Sequence, residues 1–213
     1  STTFGAVVNV RLGVSSSSPL NRASSSSINP ASSPMTALFE HIAQLYNVDK
    51  NRILNVKGNA WAQGLAVKQL DAAMRLVNGE VVELGTGMGK TYAYIAAAHE
   101  ILQENKYAAV MVFDVTHQKA KENARMAGLI YEKYNRPVYV FTTEEIYGQG
   151  VKRTYKYNPL TRELEEMAGG NAEEIRANAL KDKGSVIYGI ASEFVFRALY
   201  EQSSHNQTEQ ILI

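Results

Sequence analysis

Three apolar runs, YAAVMVFDV (107–115), RPVYVFTT (136–143) and SVIYGI (185–190), constrain the fold of this chain more than any other feature. Each is too continuous for a strand with one wet face, and each is far shorter than a membrane span. They read as strands covered on both sides, the situation of parallel strands between two helical layers. Helical patterns fill the intervals. An alanine-rich segment runs from Thr91 to about Asn105, and an amphipathic one from about Gln118 to Tyr134. This alternation predicts an α/β fold with a doubly wound parallel sheet.

Upstream, PMTALFEHIAQLYN puts Met35, Leu38, Phe39, Ile42 and Leu45 on one helical stripe, with Ser33 as N-cap and Pro34 in the first turn. A second amphipathic helix over 67–76 runs to an Asn78-Gly79 turn, after which Val81-Val82 begins a short buried strand. Downstream, 152–167 reads as a hairpin turning at Asn158-Pro159, and NAEEIRANALKD (171–182) as a helix. Together 152–182 form an insert that decorates the sheet. Residues 1–33 differ in kind. Positions 15–33 carry two runs of four serines and two prolines, too little apolar surface to offset the entropy of ordering them. They are expected to be a linker, and 4–14 fit a short strand or a disordered tail equally. The folded body is 34–213.

Composition narrows the function classes. With 22 basic and 21 acidic residues in 213, the net charge is +1, so no global field draws in nucleic acid or an anionic membrane. The chain has no cysteine, which removes disulfides, thiolate catalysis and zinc-thiolate sites. Arg11 interrupts the apolar N-terminal stretch and no basic leader precedes it, so neither a signal peptide nor a membrane span is expected. A soluble, cytoplasmic protein fits. His41, His99, His117 and His205 show no metal-ligand spacing and are expected to be solvated or capping; Trp61 and the twelve tyrosines are expected in the core and its rim.

The chemistry concentrates in ELGTGMGKT (83–91). A phosphate cradle needs backbone N–H groups converging on an anion at a helix start, which glycines permit. Gly85, Gly87 and Gly89 can supply that cradle, with Thr86 and Met88 between them. Lys90 then reaches the phosphates as a point charge, and the Thr91 hydroxyl ligates Mg2+. The general P-loop pattern asks for a glycine where Leu84 stands, as loops of the T-G-x-G-K-T type allow. VMVFD, ending at Asp114, imitates a Walker B strand, and a genuine one there would indicate a kinase-like P-loop fold.

QLDAAMRLVNGEVVELGTGMGKT (69–91) resembles, without a gap, the start of the motor domain of SecA, the preprotein translocase ATPases. There a glutamine opens the stretch and an E-M-x-T-G-E-G-K-T loop ends it. VTHQKAKENARMAGLIYEKYN (115–135) is similar to the family's helix after its second strand. IYGIASEFVFRAL (187–199) is similar to its Y-G-T-N-N-E-F-G-F-D-Y-L segment, with Glu193, Phe194, Phe196 and Leu199 matching. The blocks span roughly 65–200. Gly85, Met88 and Ile190-Ala191-Ser192 depart from the pattern, and 152–182 has no counterpart in it.

The resemblance implies a divergent first nucleotide-binding domain, a three-layer, RecA-like P-loop NTPase with a parallel sheet, and the serine-rich N-terminal extension is foreign to that family. It implies ATP and Mg2+ as cofactors, with Gln69 reading the adenine edge, residues 85–91 binding the nucleotide and Lys90 acting in catalysis. The implied partners are a polypeptide substrate or protein-translocation machinery, with peripheral membrane contact. Nucleic acid is not an expected partner. The family's D-E-V-D motif is expected beyond Ile213, so this stretch alone is expected to hydrolyse ATP negligibly. Two other readings suit the same loop: a superfamily 2 or DinG-like nucleic-acid helicase, and a non-hydrolysing P-loop interaction module.

Overall fold

The computed structural model describes residues 34–49, 66–80, 82, 89–104, 109–194 and 210–212. Within them lie α1 (Pro34–Asp49), α2 (Ala66–Val77), α3 (Lys90–Glu104), β1 (Ala109–Asp114) and α4 (His117–Tyr131), which ends in a 3-10 turn at Glu132–Tyr134. There follow β2 (Val138–Ile146), β3 (Gln149–Asn158), β4 (Glu163–Glu166), α5 (Ala172–Lys181), β5 (Val186–Ile190) and β6 (Gln210–Leu212). The expected extension at 1–33, the Ser33 cap, Val81, Phe196, Leu199, Trp61 and His205 lie outside the described residues. Val82 is described and is not in a strand. Among the described residues no helix is long and apolar enough to cross a membrane.

The strands form one sheet in the order β4-β3-β2-β5-β1-β6. β2, β5, β1 and β6 run parallel, whereas β3 adds antiparallel to the outer side of β2 and β4 antiparallel to β3. The architecture is therefore α/β, but the expectation of a wholly parallel sheet is corrected to a mixed one. The reason is local. β2 does not stop at Thr143; it continues to Ile146 and reverses through Tyr147 and Gly148, both at positive φ, which is the backbone of a tight hairpin. The turn at 159–162 then sends β4 back along β3, where the sequence places it.

Both faces of the sheet are covered. Val110, Val112, Val138, Val140, Val186 and Tyr188 pack under α1 to α4, with Leu38, Ile42, Ala73, Ile95 and Ile130 in the same core. Met111, Tyr139, Phe141 and Ile187 point the other way, against Ala179 and Leu180 of α5 and against Phe194. Alternate strand residues thus serve opposite layers, which is why the runs are apolar throughout. Ala93, Ala96, Ala97 and Ala98 let α3 lie close, because none presents more than a methyl group.

The segment 152–182 is no decoration. Its Arg176, only 3% exposed, donates from Nη1 to Glu193 Oε2 (2.8 Å) and from Nη2 to the Thr142 carbonyl (2.7 Å), with the Arg153 carbonyl at 3.5 Å. The guanidinium also lies 4.9 Å from the Phe141 ring centroid. On the opposite face the Tyr157 ring of β3 packs onto Gly128 of α4, and its hydroxyl donates to Glu132. The insert therefore extends both the sheet and the core.

His99 also departs from expectation, since it is buried rather than solvated. Its Nδ1 faces the Arg136 guanidinium at 3.3 Å and so must accept, and burial, aided by that charge, lowers its pKa to about 4. Arg136 donates in addition to the Gly184 carbonyl, which ties α3 to the entry of β5.

Helix propensity favours Gly128→Ala by about 1 kcal/mol. The packing argues the reverse, because a Cβ there would lie 2.3 to 2.7 Å from three Tyr157 ring atoms. A net loss of about 1–3 kcal/mol is expected by urea denaturation, and a gain would show that the ring is not locked. Arg176→Ala, which leaves Glu193 buried without its cation, is expected to cost about 3–5 kcal/mol by the same measurement.

Candidate functional site

The site is built where α3 begins. Gly89, immediately before Lys90, has φ +73°, a backbone that non-glycine residues adopt only at a cost. A side chain there would also displace the Gln69 amide, since an ideal Cβ would lie 2.0 Å from its Nε2. Gln69 comes from α2 and is fully buried, so its amide fills the space above the Gly89 backbone. The Tyr92 N–H donates to the Gly89 carbonyl and closes the first turn. Gly85, Thr86, Gly87 and Met88 lie outside the described residues.

Lys90 and Thr91 are half-buried at the helix start, and the first turn contains no acidic residue. The backbone N–H groups of a helix start, the positive end of the helix dipole and a lysine therefore coincide, a combination that attracts an anion. The Thr91 hydroxyl turns toward the sheet and donates to Asn123 Oδ1 at 3.4 Å. Asn123 Nδ2 in turn donates to Asp114 Oδ1 at 2.8 Å. A polar chain thus runs from the start of α3, across α4, to the carboxyl end of β1.

Each link has a local cause. β1 ends at Asp114, and Thr116 caps α4 two residues later, its hydroxyl accepting from the Lys119 N–H at 3.1 Å. That cap sets the rotation of α4, whose inward stripe is Ala120, Asn123, Ala124 and Ala127. Burial raises the Asp114 carboxyl from 3.8 to about 6, against the Asn123 hydrogen bond and the Lys119 charge, which lower it, while Glu122 raises it further. Its Oδ2 is buried without a hydrogen-bond partner among the described residues. Tyr94 of α3 and Tyr188 of β5 face the same carboxylate, and burial together with its charge raises both phenols.

The structure places Gln69 against Gly89, which directly precedes Lys90 and Thr91. Asp114 reaches Thr91 only through Asn123. Asn123 itself is missing from the sequence reading. The available signal was a lone amide in an alanine stripe at helical spacing, Ala120, Asn123, Ala124, Ala127. Among the described residues no three or more histidine, aspartate or glutamate side chains form a metal cluster. No family model, curated protein or solved structure matches this chain.

Because the fold holds the Asp114 proton more tightly than the unfolded chain does, this group favours folding below pH 3.8, and the contribution is lost as pH rises through about 6. Asp114→Asn is expected to remove that slope and to stabilise the protein at pH 7 by up to about 3 kcal/mol. Denaturation midpoints measured from pH 4 to 7 check this. A destabilised variant at neutral pH would mean that the hydrogen bond outweighs burial.

Proposed function

We propose that this chain is the ATP-binding lobe of a SecA-like motor, a RecA-like P-loop domain whose ATP hydrolysis drives a polypeptide. The observation that carries the reading is the Gly89-Lys90-Thr91 start of α3, with φ +73° at the glycine, no acid in the first turn and the threonine hydroxyl tethered toward β1. The order of the SecA-like sequence blocks and the parallel set β2, β5, β1, β6 between helical layers are consistent with it. Partners in this reading are a polypeptide or translocation machinery, in the cytoplasm or peripheral at a membrane.

The donor set suits a magnesium nucleotide. Mg2+ binds through few protein ligands and several phosphate or water oxygens, so one hydroxyl at a helix start matches it better than a carboxylate cage does. When bound, it neutralises charge on the phosphates. The chain's own residues do the rest: backbone N–H groups at the start of α3 hold the anion, and Lys90 places a positive charge beside it. Gln69 is the adenine reader by family resemblance. In this arrangement its amide is buried against Gly89, so nucleotide entry must move it before it can read a base.

Lys90→Ala is expected to weaken ATP and ADP binding at least about tenfold, roughly 1.4 kcal/mol for one lost charge-assisted contact. Isothermal titration calorimetry with Mg2+ tests it. Unchanged affinity rules out the cradle, and a wild-type chain that binds neither nucleotide favours the interaction-module reading.

A further inference from the structure

The polar chain behind Thr91 has a direction. A carboxylate accepts hydrogen bonds and cannot donate them, so Asp114 turns the NH2 end of the Asn123 amide toward itself at 2.8 Å. The amide has only one other end. Its oxygen must then face Thr91, and it can only accept, so it takes the hydroxyl proton at 3.4 Å. A hydroxyl that has given its proton to a fixed acceptor keeps its lone pairs for something on the other side. Burial keeps water from scrambling this order, since Asn123 is 7% exposed and sits among Ala120, Ala124 and Ala127.

From this geometry we infer that Asn123 and Asp114 are positioning residues for the Thr91 hydroxyl, holding its oxygen free to ligate the Mg2+ of a bound nucleotide. The inference rests on the nucleotide-binding reading and adds two residues to it, neither of which touches the ligand. The 3.4 Å step is the weaker link, longer than a settled hydroxyl hydrogen bond. A cation on the threonine oxygen polarises its O–H bond and strengthens the donation, so the chain tightens when it is needed. Partners that orient a metal ligand from behind typically change metal affinity by about 10–100-fold when removed.

Such a role differs from plain structural support in what it changes. Positioning of Thr91 affects only the part of nucleotide affinity that depends on Mg2+, whereas the backbone N–H groups and Lys90 act with or without the metal. Asp114 also sharpens the distinction. Replacing its carboxylate by an amide relieves a buried charge, yet it discards the acceptor-only partner that dictates which way Asn123 faces.

The test is calorimetric titration of the whole chain with ATP, once with Mg2+ and once with EDTA, for the wild type, Asn123→Ala, Asp114→Asn, Thr91→Ala and Thr91→Ala/Asn123→Ala. Asn123→Ala is expected to lose about tenfold in the Mg2+-dependent increment and to keep the EDTA affinity. Asp114→Asn should lose severalfold in the same increment while melting no lower than the wild type. The double variant should bind as Thr91→Ala does, because the amide acts through the hydroxyl alone. An Mg2+ increment that needs Thr91 but is untouched by Asn123→Ala and Asp114→Asn overturns the positioning role and leaves the nucleotide site standing. Equal losses with Mg2+ and with EDTA overturn it in favour of general support of the fold. A wild type that binds no nucleotide overturns both readings.

Discussion

One buried guanidinium holds the two halves of this sheet in register. Arg176 reaches from α5 to the Thr142 carbonyl on β2, to the Arg153 carbonyl on β3 and to Glu193 beyond β5, with the Phe141 ring beneath it. Taking a charge out of water costs several kcal/mol, about as much as many whole interactions return, so the site tolerates Arg176 only because nearly every partner is present. His117 adds a ring nitrogen 3.8 Å from the other Glu193 oxygen. Remove one member and the rest are left buried without compensation. The carboxyl ends of β2 and β5, and the adjoining end of β1 where Asp114 sits, share that frame.

The opposite trade operates at Asp114. There burial is incompletely offset, with one oxygen bonded to Asn123 and the other without a partner among the described residues. A carboxylate kept at a cost to folding, beside a helix start that suits an anion, is the usual form of a conflict between stability and use. Gly89 shows the same logic in the backbone, where a left-handed φ and the close approach of the Gln69 amide both disfavour a side chain. A left-handed glycine and an incompletely offset carboxylate thus lie at the two ends of the polar chain that runs through Thr91 and Asn123.

Much of the frame was legible beforehand because its signals are local. The stripe Met35, Leu38, Phe39, Ile42 forms the buried face of α1, the run 107–115 contains β1, and Asn171, at the start of the predicted helix, caps α5. What was not legible depended on partners distant in sequence. VYVFTT does not say whether its neighbour will be parallel or antiparallel; the reversal at Tyr147-Gly148 decides that, and neither residue pattern nor period announces it. β6 is three residues long and exists by pairing with β1, so it left no period to read. His99 looked like any helical histidine until Arg136 arrived from beyond α4.

The same division holds at the candidate site. By itself the sequence determined the order of the helices and of the three central strands, the apolar character of those strands and the juxtaposition of glycine, lysine and threonine at a helix start, because each follows from neighbours within a turn or a strand. Only the tertiary structure decided that Gln69 lies over Gly89, that Arg176 of α5 is buried against Glu193 and the Thr142 carbonyl, and that Asp114 reaches Thr91 through Asn123. Those contacts join residues 9 to 34 positions apart. They depend on how far one helix rotates against one sheet, a quantity set by the packing of alanines, valines and aromatic rings together and encoded in no single segment.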